Sequence, residues 1–129
     1  MIYLDTSAAV KALVAESGSG AVGRLFAEDA PLVSSRLLAV ELHTVAVRRR
    51  LDPVHVASLL EHVTLASLDD DVAAGAIALR SGLRTLDALH LATAVGLGDI
   101  VTQFASFDVE LNTAARRAGL DLTAWSSGA

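Results

Sequence analysis

Short apolar runs that end on cap-forming polar residues alternate along the chain with longer stretches in which apolar residues recur at helical spacing. The first run, Ile2-Tyr3-Leu4, predicts a strand that stops at Asp5-Thr6-Ser7, and an alanine-rich helix follows to about residue 15. Glu16-Ser17-Gly18-Ser19-Gly20 breaks that helix and caps a second one, which carries Val22, Leu25 and Phe26 on one face. Pro31-Leu32-Val33-Ser34-Ser35 has the length and ending of a strand, and residues 36–50 form a helix that is apolar nearly all round, hence deeply packed at its start. Asp52-Pro53 places proline at the first position of the next helix, which runs to about Val63, and residues 64–68 predict a third strand. Asp69-Asp70-Asp71 opens a helix ending near Gly82, and Thr85-Leu86-Asp87 opens another through Val95. A strand within 100–105, a helix over 108–118 and a short strand over 120–125 complete the series, and residues 126–129 are left as a flexible tail. Strands that alternate with helices predict an α/β/α sandwich around a mainly parallel sheet of four to five strands.

Composition narrows this to one domain over 1–125. The chain has 129 residues, 53% hydrophobic and 19% charged, enough to bury a core and well away from the composition of disorder. Cysteine is absent, which removes disulfides, thiolate metal sites and thiol nucleophiles and leaves oxygen and imidazole chemistry. The opening Met1-Ile2-Tyr3-Leu4-Asp5 lacks a basic leader, and no uncharged apolar run is long enough for a bilayer, so the expected compartment is the cytoplasm, with no membrane partner.

Four carboxylates stand out by position. Ligands of open parallel sheets bind beyond the carboxyl ends of the strands, close to helix starts. Asp5 ends the first strand, Asp108 follows the strand after Ile100, and Asp87 opens a helix. Glu41 lies on an apolar helix with Leu37, Leu38, Thr44 and Val45 three and four positions away, where an unpaired carboxylate costs several kcal/mol. Each aspartate alone reads equally as a helix cap, and Glu41 alone reads as the partner of a distant arginine. In combination, with no lysine or histidine after a comparable strand, they predict one acidic pocket. Carboxylates packed together need a cation, and an all-oxygen set suits Mg²⁺ or Mn²⁺ better than Zn²⁺. The matching reaction is metal-assisted phosphodiester hydrolysis. The formal charge of −5 argues against a general positive field, but removing those four acids from it leaves −1.

The opening Ile2-Tyr3-Leu4-Asp5-Thr6-Ser7-Ala8, Glu41 after Ser34-Ser35, the run from Leu83 through Asp87-Ala88-Leu89-His90-Leu91-Ala92-Thr93-Ala94, and Ser106-Phe107-Asp108 together resemble PIN-domain VapC toxins along essentially the whole chain. The resemblance implies a Mg²⁺- or Mn²⁺-dependent endoribonuclease of a type II toxin–antitoxin pair, a homodimer and a small VapB antitoxin. It matches Asp5, Glu41, Asp87 and Asp108 to the family's catalytic, metal-binding acids, and Ser7 and Ser106 to its supporting hydroxyls. The chain departs from many relatives after the last acid, where Val109-Glu110 stands in place of basic residues.

Arg48, Arg49 and Arg84 are candidate RNA contacts, because guanidinium pairs with phosphate oxygens, although cations at helix ends are favourable anyway. His90 on its apolar helix reads as a satisfied core residue in preference to a general base. Two other enzyme classes fit less well: an aspartyl phosphotransferase wants a second aspartate where Ser7 stands, and a receiver domain wants a late lysine where the chain's lysine is Lys11. An alternative of another class is a catalytically inactive PIN-like module that sequesters a protein or RNA partner. Retention of all four acids speaks against it.

Overall fold

The computed structural model describes residues 1–127; Gly128 and Ala129, the end of the expected tail, lie outside the described residues. Its sheet has four parallel strands, β1 (Ile2–Leu4), β2 (Leu32–Ser35), β3 (Val63–Ala66) and β4 (Gln103–Ala105), in the order β3-β2-β1-β4. Parallel neighbours require crossovers, and helices supply them. These are α1 (Thr6–Ala9), which runs on into a 3₁₀ turn at Val10–Ala12, α2 (Ser19–Ala27), α3 (Leu37–Arg49), α4 (Pro53–Leu60), α5 (Asp70–Leu79), α6 (Thr85–Gly96) and α7 (Val109–Arg117). A short α8 (Ala124–Ser127) follows.

Strand alternation divides the interior into two cores. Leu4, Leu32, Val63 and Ala105 face α1, α3 and α4, where Ala8, Leu38, Leu42 and Val56 meet them. Tyr3, Val33 and Phe104 face the other way, onto Leu91 and Ala94 of α6 and Leu111 and Ala115 of α7. The two layers are the basis of the sandwich, and truncation of a fully buried leucine such as Leu42 to alanine costs about 2–5 kcal/mol. Ser34 and Ser35 are buried at the end of β2; the Ser34 hydroxyl donates to Leu4 O at 2.6 Å, and Ser35 Oγ accepts from Leu37 N at 3.1 Å where α3 starts. Hydrogen bonding thus removes the penalty of burying them.

The chain end differs from the pattern. Residues 120–125 make no strand: one parallel bridge, Phe104 with Leu122, touches the edge of β4 before the chain turns into α8. Ser126, expected to fray, is buried and accepts from Ser106 N at 3.2 Å, while its backbone N donates to Thr123 O at 3.0 Å. Trp125 stacks on Phe107 with ring centroids 4.9 Å apart. Side-chain and turn bonds to the loop after β4 replace the ladder that apolar alternation alone suggested.

Candidate active site

Asp5 and Ser106 are the residues that follow the carboxyl ends of the adjacent strands β1 and β4, and Asp5 N donates to Ala105 O at 3.1 Å. The Asp5 carboxylate is 3% exposed and accepts from Ser7 Oγ at 2.8 Å, from Ala8 N at 3.1 Å and from Ser106 Oγ at 3.0 Å. It is therefore the N-cap of α1 as well as a candidate ligand. Burial pushes its carboxyl up to about 6, against the opposing pull of these donors and of the His90 charge. Ser7 Oγ also accepts from Phe107 N at 2.9 Å, and Ser106 Oγ from Asp108 N at 3.0 Å, so the two serines tie the loop carrying Asp108 onto Asp5. Gly18 lets this loop approach: at φ +92 it has no Cβ, which would stand 2.6 Å from Phe107 Cζ.

Glu41 projects from the middle of α3, between the buried Leu38 and Leu42, with its side chain 19% exposed. One of its oxygens, Oε1, lies 2.6 Å from His90 Nε2 and accepts from Thr6 Oγ1 at 2.7 Å. Burial raises the Glu41 carboxyl, but the His90 and Thr6 hydrogen bonds and the His90 charge outweigh it, and the balance lies below the ordinary value. His90, 1% exposed in the interior of α6, has Nδ1 2.8 Å from the Tyr3 hydroxyl, whose own ionisation burial pushes far up. The partner of Glu41 is thus a histidine and no arginine, and His90 is a satisfied core residue that also reaches the site.

Asp87 sits in the first turn of α6, and Asp108 caps α7 by accepting from Leu111 N at 3.1 Å. Burial raises the Asp87 carboxyl, and the Asp108 charge raises it further; Arg84 and His90 oppose this and Glu41 adds to it. The Arg84 contact is 3.8 Å long and its side chain is 85% exposed, so it compensates little. Among the described residues no three His, Asp or Glu side chains converge closely enough to hold a metal ion as they stand. The chemistry of the donor set nonetheless fits a divalent cation: all four candidates are carboxylates, two of them are held above their usual range, and the ionic contact that reaches Asp87 is with the exposed Arg84.

Arg48 and Arg49 lie outside this cluster, at the carboxyl end of α3. They line a groove of about 400 Å³ together with Lys11, Glu16 and Phe107, and with Thr6 and Ser7, whose hydroxyls donate to Glu41 and Asp5. Glu16 pairs there with Lys11 at 3.1 Å and Arg49 at 3.2 Å.

The family model of the PIN domain matches residues 2–117. The chain belongs to the PIN domain family. Ribonuclease VapC46 of Mycobacterium tuberculosis (strain ATCC 25618 / H37Rv) is 37% identical to it, across 95% of this chain and 96% of that protein. Ribonuclease VapC35 of the same strain is 33% identical across 96% of each, and this PIN domain is a member of that VapC ribonuclease group. The fold agrees with crystal structures of two proteins: M. tuberculosis VapC20, described as a sarcin-ricin loop cleaving toxin, and FitAcB from Neisseria gonorrhoeae. VapC20 superposes with a TM-score of 0.73 at 22% identity, covering 88% of this chain and 95% of that one. FitAcB gives 0.63 at 21% identity, covering 95% and 96%.

Three residues of this PIN domain's site escaped the sequence pattern: Thr6, Tyr3 and the contact made by His90. A signal existed, because a tyrosine in a central strand and a histidine on an apolar helix each need a buried hydrogen-bond partner, and each is the other's. Among the described residues no helix is long and apolar enough to cross a membrane.

Proposed function

We propose that this protein is a Mg²⁺- or Mn²⁺-dependent endoribonuclease, the toxin of a pair whose second member is a VapB-type antitoxin. The observation that supports the reading is that Asp87 feels the charges of both Asp108 and Glu41, that Ser106 bonds Asp5 and also the backbone of Asp108, and that burial raises Asp5 and Asp87. These acids would hold the ion, which supplies an activated water and stabilises charge on the leaving oxygen. Ser7 and Ser106 orient Asp5 through their hydroxyl protons, and Ser106 also anchors the backbone of Asp108. Arg48 and Arg49 would take backbone phosphates in the groove beside Ser7, and the exposed Arg84 would do so at the start of α6. A homodimer and cytoplasmic action go with this reading, as the resemblance to VapC toxins implies.

Incubation of the purified protein with structured RNA, with and without Mg²⁺ or Mn²⁺, tests the assignment. Cleavage should need the metal and fall by about a hundredfold or more in Asp5→Asn. Cleavage that persists in chelator, or that the substitution leaves intact, overturns it. Tight RNA or protein binding with no cleavage under any metal condition would instead favour the inactive binding module.

A further inference from the structure

A carboxylate that serves a cation must stay ionised and keep one orientation, yet Glu41 hangs from a helix surface where burial alone would raise it. The bonds at its Oε1 form a chain that runs inward through the sheet layer: Glu41 Oε1, His90 Nε2, His90 Nδ1 and the Tyr3 hydroxyl, with distances of 2.6 Å and 2.8 Å. An ionised Glu41 only accepts, so Nε2 bears the hydrogen and donates to Oε1. At the other end the buried Tyr3 hydroxyl, which can both donate and accept, bonds Nδ1. Tyr3 is itself fixed by stacking on Phe104, with centroids 5.4 Å apart and planes 7° from parallel, in the core between β1, β4 and α6. The imidazole is therefore held at both ring nitrogens, by β1 at Nδ1 and by Glu41 at Nε2. Thr6 takes the same Oε1, and Oε2 has no hydrogen bond among the described residues.

We propose that His90, held at Nδ1 by Tyr3 and donating from Nε2, is a positioning residue for Glu41: it occupies Oε1 and leaves Oε2 as the oxygen offered to the divalent ion. Metal ligands are commonly oriented by such outer hydrogen bonds, and their loss reduces metal affinity about 10–100-fold. Here the orienting group is buried in a different element from the ligand, so α6 sets the geometry of a carboxylate on α3. The inference rests on the metal-dependent reading above for its consequence, but the hydrogen on Nε2 does not.

Nitrogen-15 spectra of histidine in the metal-free protein should show His90 with hydrogen on Nε2. Hydrogen on Nδ1 with Nε2 bare would overturn the proposal whether or not the protein is a nuclease. Mn²⁺ affinity, measured by electron paramagnetic resonance without RNA, should fall about 10–100-fold in His90→Leu and recover substantially in His90→Gln, whose amide can donate to Glu41. Tyr3→Phe should weaken Mn²⁺ binding in the wild-type background and change nothing once His90 is leucine. Full Mn²⁺ affinity in His90→Leu, or equal effects of Tyr3→Phe in both backgrounds, would sink the relay. If His90→Leu fails to fold, the hydrogen on Nε2 and the Tyr3→Phe and His90→Gln affinities still decide. A wild-type protein that binds no Mn²⁺ and cuts no RNA would count against the nuclease reading, and leave the Nε2 result standing.

Discussion

Asp5, after β1, and Glu41, on α3, are both nominated as metal ligands and are held in opposite ways. Asp5 sits at the end of β1, sealed from water and supplied with two hydroxyls and one backbone N–H, yet its carboxyl remains high at about 6. Glu41 is less buried, meets an imidazole and one hydroxyl, and lies below its ordinary value. The number of donors does not decide the matter, since Asp5 has more. Depth of burial against the strength of the partners decides it: the donors around Asp5 and the charge of His90 do not offset full desolvation, whereas the short His90 contact with the Thr6 bond offsets the partial desolvation of Glu41. Asp5 is therefore the carboxylate that gains most from a cation, and Glu41 is the one prepared in advance.

The largest expected effect is that of the ion on stability. A divalent cation that binds only the folded state should raise unfolding free energy by about 4 kcal/mol at a thousandfold excess over Kd. Melting with and without Mn²⁺ measures it, and the increment should vanish in Asp5→Asn. An undiminished increment in that variant would mean that the ion sits elsewhere.

Acidity gives the next. A carboxyl raised on folding favours the native state while protonated, so its contribution is complete below pH 3.8 and is lost as pH rises to about 6. For Asp5 this amounts to on the order of 3 kcal/mol, read as the difference in urea stability between the metal-free wild type and Asp5→Asn across that window. Glu41, lowered on folding, works the other way: its contribution is present above 4.5 and disappears as pH falls below it. A difference curve that is flat between pH 4 and 6 would show that Asp5 is better solvated than its burial indicates.

At pH 7.5 without metal the two neutralising substitutions should then have opposite signs. Asp5→Asn relieves a buried charge and should stabilise by about 1–2 kcal/mol, while Glu41→Gln weakens a charge-assisted bond and should destabilise by a similar amount. Equal signs in urea denaturation would erase the contrast. The smallest effect lies outside the pair: Arg49→Ala, on the groove beside Ser7, should reduce the salt dependence of RNA binding by about one counterion while leaving the Asp5 and Glu41 stabilities unchanged. Anisotropy of labelled RNA in chelator at several salt concentrations reads it.

Much of the architecture was written in local pattern. Apolar runs of strand length, Asp52-Pro53, and the caps at Asp5, Asp69 and Asp108 each act within a few residues, so seven helices and four strands could be placed from periodicity and punctuation. Where the pattern misled, over residues 120–126, the competing interaction was not local: Ser126 bonds to Ser106 and Trp125 stacks on Phe107, both nearly twenty positions away. No periodicity carries that information.

The site divides along the same line. Four acids at strand ends and helix starts, a cysteine-free composition and a family-like set of motifs were enough to nominate Asp5, Glu41, Asp87 and Asp108 and the chemistry that suits them. Which donors hold each carboxylate, and whether its charge is relieved or strained, depended on side chains brought together by the parallel order of the sheet. Tyr3 and His90 are 87 positions apart and Ser7 and Phe107 are 100, and chain closure over such distances is set by the packing of whole elements. Residue types fixed what the pocket could bind; only the fold determined that Glu41 would face a histidine and that Asp5 would be left with a charge its neighbours do not cancel.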